Sequence, residues 1–160
     1  MFTLLCITGS LWAMAQGPDT PAYKKNPVVP AFFLLQVDST TITKENLKHQ
    51  PTMIMYFSPT CDHCLHQWAD MIKYKDKLQH IQIVMATYEP FEEMEAFYNK
   101  EKVASYPNIK MGRDEKFSLP PFYRMRSLPY QALYDKNGKL ITTFEGNVQI
   151  EKLLEAFNVK

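Results

Sequence analysis

The chain has 160 residues, 46% hydrophobic and 22% charged, which suits one globular domain with a sizeable core. A formal net charge of +1, with the two signs interspersed, gives no field to steer nucleic acid or an anionic membrane. Neither class is expected as a partner.

Residues 1–15, MFTLLCITGSLWAMA, carry no charge and end in Ala13-Met14-Ala15, the pattern of an export signal with a small-residue cleavage site. The stretch is short for a bilayer span, and Leu5 beside Cys6 argues against a lipid anchor. It lacks a basic start, and a buried apolar N-terminal element is the alternative. Residues 16–30, rich in proline and polar groups, read as an extended leader, so the expected folded unit is 31–160. With Cys6 removed, only Cys61 and Cys64 remain, too few for a disulfide-stapled scaffold.

AFFLLQV (31–37) suits a short strand, and TTITKENLKHQ (40–50) a connection with a helical turn at 44–48. TMIMYF (52–57) is continuously apolar, as in a strand covered on both faces. After the cysteines, Leu65, Trp68, Ala69 and Ile72 make an apolar stripe on a helix running to Leu78. HIQIVMATY (80–88) reads as a second central strand. Phe91, Met94 and Phe97 or Tyr98 mark a helix ending near Ala104. The stretch 105–125 is broken by prolines and reads as irregular, with one helical turn near 117–125. YQALYDKNGKLITTF (130–144) is a hairpin in which Asn137-Gly138 suits a type I′ turn. A last helix places Ile150, Leu153, Leu154 and Phe157 on one face, with Asn147 as its N-cap. Alternating strands and helices followed by a hairpin imply a mixed α/β sheet with helices on both faces.

The chemistry lies in SPTCDHCLHQW (58–68). A cysteine that opens a helix meets unpaired backbone N–H groups and the positive end of the helix dipole, which favour a thiolate. Cys61 holds that place. Cys64, one turn later, would release a mixed disulfide formed on Cys61. No cofactor is needed. His63, if charged, favours the Cys61 thiolate and Asp62 opposes it, so direction and potential stay open. A metal bound by Cys61, His63, Cys64 and His66 is a weaker account, because no second ligand pair exists; His49 and His80 stand alone. A peroxide-reducing site would need a proline where Ile54 stands.

TMIMYFSPTCDHC, an amphipathic helix and then SLPYQALYDKNGKLITTFEG resemble the thioredoxin-like superfamily, most of all its exported TlpA/ResA branch of thiol–disulfide oxidoreductases. VVPAFFLLQVDSTTITKENL is similar to that branch's opening segment, an extra strand and turn before the core. The resemblance implies a thioredoxin fold and a cis Leu128–Pro129 bond facing the cysteines. It also implies that Leu128 and Pro129, with Thr60, line the partner groove. It further implies protein disulfides as substrates, a membrane-bound thiol carrier as electron donor, and work in a bacterial envelope, cytochrome c maturation being one task of the branch. The longer stretch between Cys64 and Pro129 matches the branch's inserted segment. Three positions depart from the pattern: Thr60 replaces a common Trp, Gln67 a Glu that manages the inner cysteine's proton, and Met55 a buried Asp. Slow turnover or a narrow partner set would follow. The alternatives are a binding module that keeps the fold without turnover and a thiol peroxidase.

Overall fold

The structure is a computed structural model, and it describes residues 20–159. The expected signal segment, with Cys6, lies outside the described residues. A short helix α1 (Ala22–Lys25) leads to strands β1 (Phe33–Leu35) and β2 (Thr41–Thr43), which form an antiparallel hairpin. β3 (Thr52–Tyr56), α2 (Asp62–Lys73), α3 (Lys75–Leu78) and β4 (Gln82–Thr87) follow. Then come α4 (Phe91–Lys100), β5 (Ile109–Asp114), α5 (Leu119–Tyr123), β6 (Tyr130–Tyr134), β7 (Leu140–Glu145) and α6 (Ile150–Ala156). One seven-stranded sheet results, in the order β2-β1-β5-β4-β3-β6-β7. β3, β4 and β5 are parallel to one another; the remaining pairings are antiparallel.

Every residue of β3 and β4 is buried, including the polar Thr52, Gln82 and Thr87 at their ends. Successive side chains point to opposite faces. Met53, Met55, Ile83 and Met85 therefore join one core layer with Trp68 and Met71 of α2, Met94 and Phe97 of α4, and Leu153 of α6. Ile54, Tyr56, Val84 and Ala86 join the other, with Leu119 and Tyr123 of α5. The expected α/β sheet covered on both faces is present.

Several details differ from the expected ones, each for a local reason. The stretch 105–125 holds a full strand, β5, next to β4. IKMGRD gives a weak strand signal because Lys110, Arg113 and Asp114 interrupt its apolar residues and position 112 must be glycine: a Cβ there would stand 2.8 Å from the Leu34 Cβ of β1. TIT (41–43) is strand β2 rather than connection; only Ile42 faces the core, so the period-2 signal is one residue long. The helix after the cysteines breaks at Tyr74, where the backbone leaves helical geometry before α3 resumes. α4 ends at Lys100, followed by a separate 3₁₀ turn at Val103–Ser105. In the β6–β7 turn only Gly138 has positive φ, at 75°. Type I′ geometry, which needs two such residues, is therefore excluded. Asp135 Oδ1 instead accepts from the Asn137 and Lys139 amides at 2.8 and 2.9 Å, and the ladder slips at Leu133/Tyr134.

Residues 20–30 of the expected leader lie against the domain. The Val29 amide donates to the Gly138 carbonyl at 3.0 Å, the Leu140 amide to that of Pro27 at 2.8 Å, and Tyr23 meets the Tyr123 ring.

The Gly112 contact gives a direct check. Gly112→Ala forces a methyl group into Leu34 and is expected to cost about 1–3 kcal/mol, read as a lowered denaturation midpoint.

Candidate active site

β3 ends at Tyr56, and the chain turns through Phe57-Ser58-Pro59-Thr60 into α2. The Phe57 amide still pairs with the Ala86 carbonyl at 3.0 Å, extending β3 toward the turn. Ser58 Oγ then meets Thr60 Oγ1 at 3.1 Å, and the Cys61 amide donates to the Ser58 carbonyl at 3.2 Å. These bonds set Cys61 as the N-cap of a 12-residue helix, with extended backbone (φ −87°, ψ 118°). Cys61 is half-buried and Cys64, one turn on, is 1% exposed; both are free thiols. The Ser58 amide points at Cys64 Sγ, 3.5 Å away. Burial pushes the Cys64 thiol up to about 12, the Ser58 N–H acting against that and the Cys61 side chain adding to it.

Antiparallel pairing sets Tyr56, the last residue of β3, opposite Tyr130, the first of β6. The segment before Tyr130 thus reaches the same end of the sheet as the turn into Cys61. The Leu128–Pro129 bond there is cis. Pro129 is buried and Leu128 half-buried, in contact with both core layers. Leu128 also borders a 270 Å³ groove whose wall includes Tyr88 and Phe117, 45% and 51% exposed. Thr60, Asp62 and His63 are exposed around Cys61, and His66 and Asp70 lie on the outer face of α2.

The fully buried residues of α2 are Cys64, Gln67, Trp68 and Met71; of the expected stripe, Trp68 is buried and Leu65 and Ile72 pack half-buried against the same core, so the buried face is turned toward Cys64 and Gln67. Ala69 is exposed. Gln67, 0% exposed, misled the hydropathy pattern because its amide is paired to backbone: Val148 N–H donates to Oε1 at 2.7 Å and Nε2 donates to Val148 O at 3.1 Å.

That pairing belongs to a strap with no sequence signal of its own, Gly146-Asn147-Val148, between β7 and α6. Gly146, at φ 79°, donates its amide to Pro129 O at 2.8 Å. Its carbonyl accepts from Gln131 Nε2 at 3.3 Å, and Gln131 also reaches Gln67 Oε1 at 3.4 Å. Asn147 is not the N-cap of α6, a position held by Gln149. Its amide turns instead to His63: Nδ2 donates to His63 O at 2.7 Å, and Oδ1 lies 3.0 Å from His63 Nδ1. The strap therefore ties the first turns of α2 to the Pro129 segment. The sequence marked the cysteines, His63, Gln67 and Pro129, but carried no sign that Gly146, Asn147, Val148 and Gln131 join them.

Residues 31–159 match the family described as thioredoxin-like domain. The chain belongs to that family. No curated protein sequence matches it. Among solved structures, it is similar to StoA from Bacillus subtilis, with 20% identity and TM-score 0.63 over 81% of this chain and 98% of that one. It is similar also to the exposed lipoprotein thioredoxin Etrx1 of Streptococcus pneumoniae, with 27% identity and TM-score 0.58 over 79% and 98%. A third is a secreted Mycobacterium tuberculosis disulfide oxidoreductase, with 14% identity and TM-score 0.64 over 79% and 94%. The expected thioredoxin fold is thus present, with α4 and β5 standing between β4 and the α5–β6 unit.

Three outcomes follow for this thioredoxin-like site. Iodoacetamide at pH ~8, near the ordinary thiol value, labels one cysteine per folded dithiol molecule, Cys61, and reaches Cys64 only on unfolding, as peptide mass mapping would read. The raised Cys64 value also makes the reduced form lose stability as pH climbs from the ordinary thiol range toward about 12, because the folded state holds the proton longer. Gln67→Glu sets a carboxylate against the buried Val148 carbonyl and removes the Nε2 donor. An unfolding curve should show a loss of about 1–3 kcal/mol.

Proposed function

We propose that this thioredoxin-like protein is an exported thiol–disulfide oxidoreductase of the TlpA/ResA type that reduces protein disulfides through Cys61 and Cys64. The observation that carries the reading is the asymmetry of the pair: a half-buried sulfur at a helix N-cap above a 1% exposed one. An incoming disulfide reaches only the outer sulfur. Cys61, as thiolate, attacks one substrate sulfur; the substrate S–S bond breaks, a mixed disulfide forms and the first substrate thiolate leaves. Cys64 then gives up its proton and attacks Cys61 Sγ. The second substrate thiolate departs, and the protein is left with a Cys61–Cys64 disulfide. Two electrons have passed to the substrate.

The second step is the slow one in this reading, since Cys64 holds its proton up to about 12 and the neighbouring Gln67 amide cannot accept it. His63 and Asp62 modulate the outer sulfur. Leu128, Pro129 and Thr60 form the docking edge for an extended partner segment, supported by the Leu128 groove and its exposed aromatic wall. The envelope setting draws support from two proteins of similar structure, one an exposed lipoprotein and one secreted. Among the described residues no helix is long and apolar enough to cross a membrane. A membrane-bound thiol carrier would restore the dithiol.

The test is reduction of insulin disulfides in the presence of a small dithiol. Wild type should accelerate precipitation of the insulin B chain, and Cys61→Ser should fall to the uncatalysed background. Cys64→Ser should accumulate a mixed disulfide visible on a non-reducing gel. Equal rates for wild type and Cys61→Ser would leave a binding module as the better account.

A further inference from the structure

We propose that Asn147, 84 residues away from His63 in sequence, is a positioning residue that fixes the protonated nitrogen and orientation of the His63 ring and thereby sets the redox equilibrium of the cysteine pair. The inference rests on the disulfide-exchange reading above and adds to it a residue from outside the cysteine segment.

The argument is one of donors and acceptors. His63 O is a carbonyl and can only accept, so the group 2.7 Å from it must be the Asn147 NH₂. The other end of that amide, Oδ1, then faces His63 Nδ1 at 3.0 Å. An amide oxygen can only accept, so Nδ1 carries hydrogen whether the ring is neutral or charged, and Nε2 is the nitrogen left to gain or lose a proton. Two bonds from one side chain to one residue hold ring and main chain together, in a manner that no neighbour on α2 reproduces among the described contacts.

The strap makes this a fixed reference rather than a chance surface contact. Asn147 is flanked by Gly146, bonded to Pro129 O, and by Val148, bonded twice to buried Gln67. The oxygen offered to the ring is therefore held by backbone anchored on both sides. An acceptor serves a charged ring better than a neutral one. A charged ring between Cys61 and Cys64 favours the dithiol form with Cys61 as thiolate. The other charged or titratable groups around this contact are Asp62 and His66 on α2, and Glu145 and Lys152 from the β7 and α6 side. Asp62, next to His63, favours a charged ring and opposes the thiolate, so its two effects offset, while Glu145 is paired to Arg126 at 3.6 Å and to Ser127 at 3.3 Å.

The experiment is a double-mutant cycle read as the equilibrium constant of the pair against glutathione at one pH, in wild type, Asn147→Ala, His63→Ala and the double variant. Asn147→Ala is expected to move the equilibrium toward the disulfide by roughly threefold to tenfold, and the shift should vanish in the His63→Ala background. ¹⁵N NMR of the imidazole gives a second readout that needs no turnover: neutral His63 should show the Nδ1–H tautomer. Asn147→Asp, which keeps the acceptor, should retain that signature and Asn147→Ala should lose it. An unchanged equilibrium, an equal shift with and without His63, or an Nε2–H ring in wild type would each overturn the proposal. Loss of insulin reduction would instead strike the exchange reading and leave the tautomer result standing.

Discussion

The pairing of β3 with β6 is the constraint on which the site depends. Tyr56 ends one strand where Tyr130 begins the other, so two chain segments some seventy residues apart in sequence reach the same edge of the sheet. β3 cannot slip, because a shift of one residue would exchange the Met53/Met55 set with the Ile54/Tyr56 set between two filled core layers. The register is therefore enforced by packing on both faces. The positions of Cys61 and Pro129 follow from it as consequences of where buried strands stop.

The same logic explains the unequal sulfurs. A helix leaving the end of β3 must lay one face on the sheet, and that face begins with Cys64. Cys61, at the N-cap, stands before the first buried position and stays within reach of solvent. Burial raises the inner thiol without any nearby charge being required. In this family-level arrangement the outer sulfur can meet a partner and the inner one can meet only its neighbour. The cost is a proton that must leave a closed place, and the polar groups beneath are neutral amides: Gln67 is paired to Val148, and Gln131 donates to Gly146 O and Gln67 Oε1 while its own buried Oε1 has no partner.

Two of the misread features, Gln67 and Asn147, share one physical cause: a polar side chain is satisfied by a partner distant in sequence. Gln67 looked like a solvent residue and is wholly buried, because Val148 completes its amide. Asn147 had the composition of a helix cap, yet its side chain is worth more against His63, where it makes two bonds. β5 was concealed by Gly112 and by the charged residues at its ends, although it sits within the sheet between β4 and β1. Asp135 did the work that positive φ at Asn137 would have done in the hairpin turn.

Sequence by itself determined what depends on neighbours along the chain. A continuous apolar run dictated β3 and the alternation of Ile81, Ile83 and Met85 dictated β4, helical spacing dictated α4 and α6, and the two-residue gap put Cys61 and Cys64 one helical turn apart. Only the folded chain decided how far α2 is rotated and that Gly146-Asn147-Val148 joins the first turns of that helix to Pro129. Those outcomes turn on hydrogen bonds and packing between segments far apart in sequence, and a string of residues carries no geometry for a contact until the sheet has brought its two sides together.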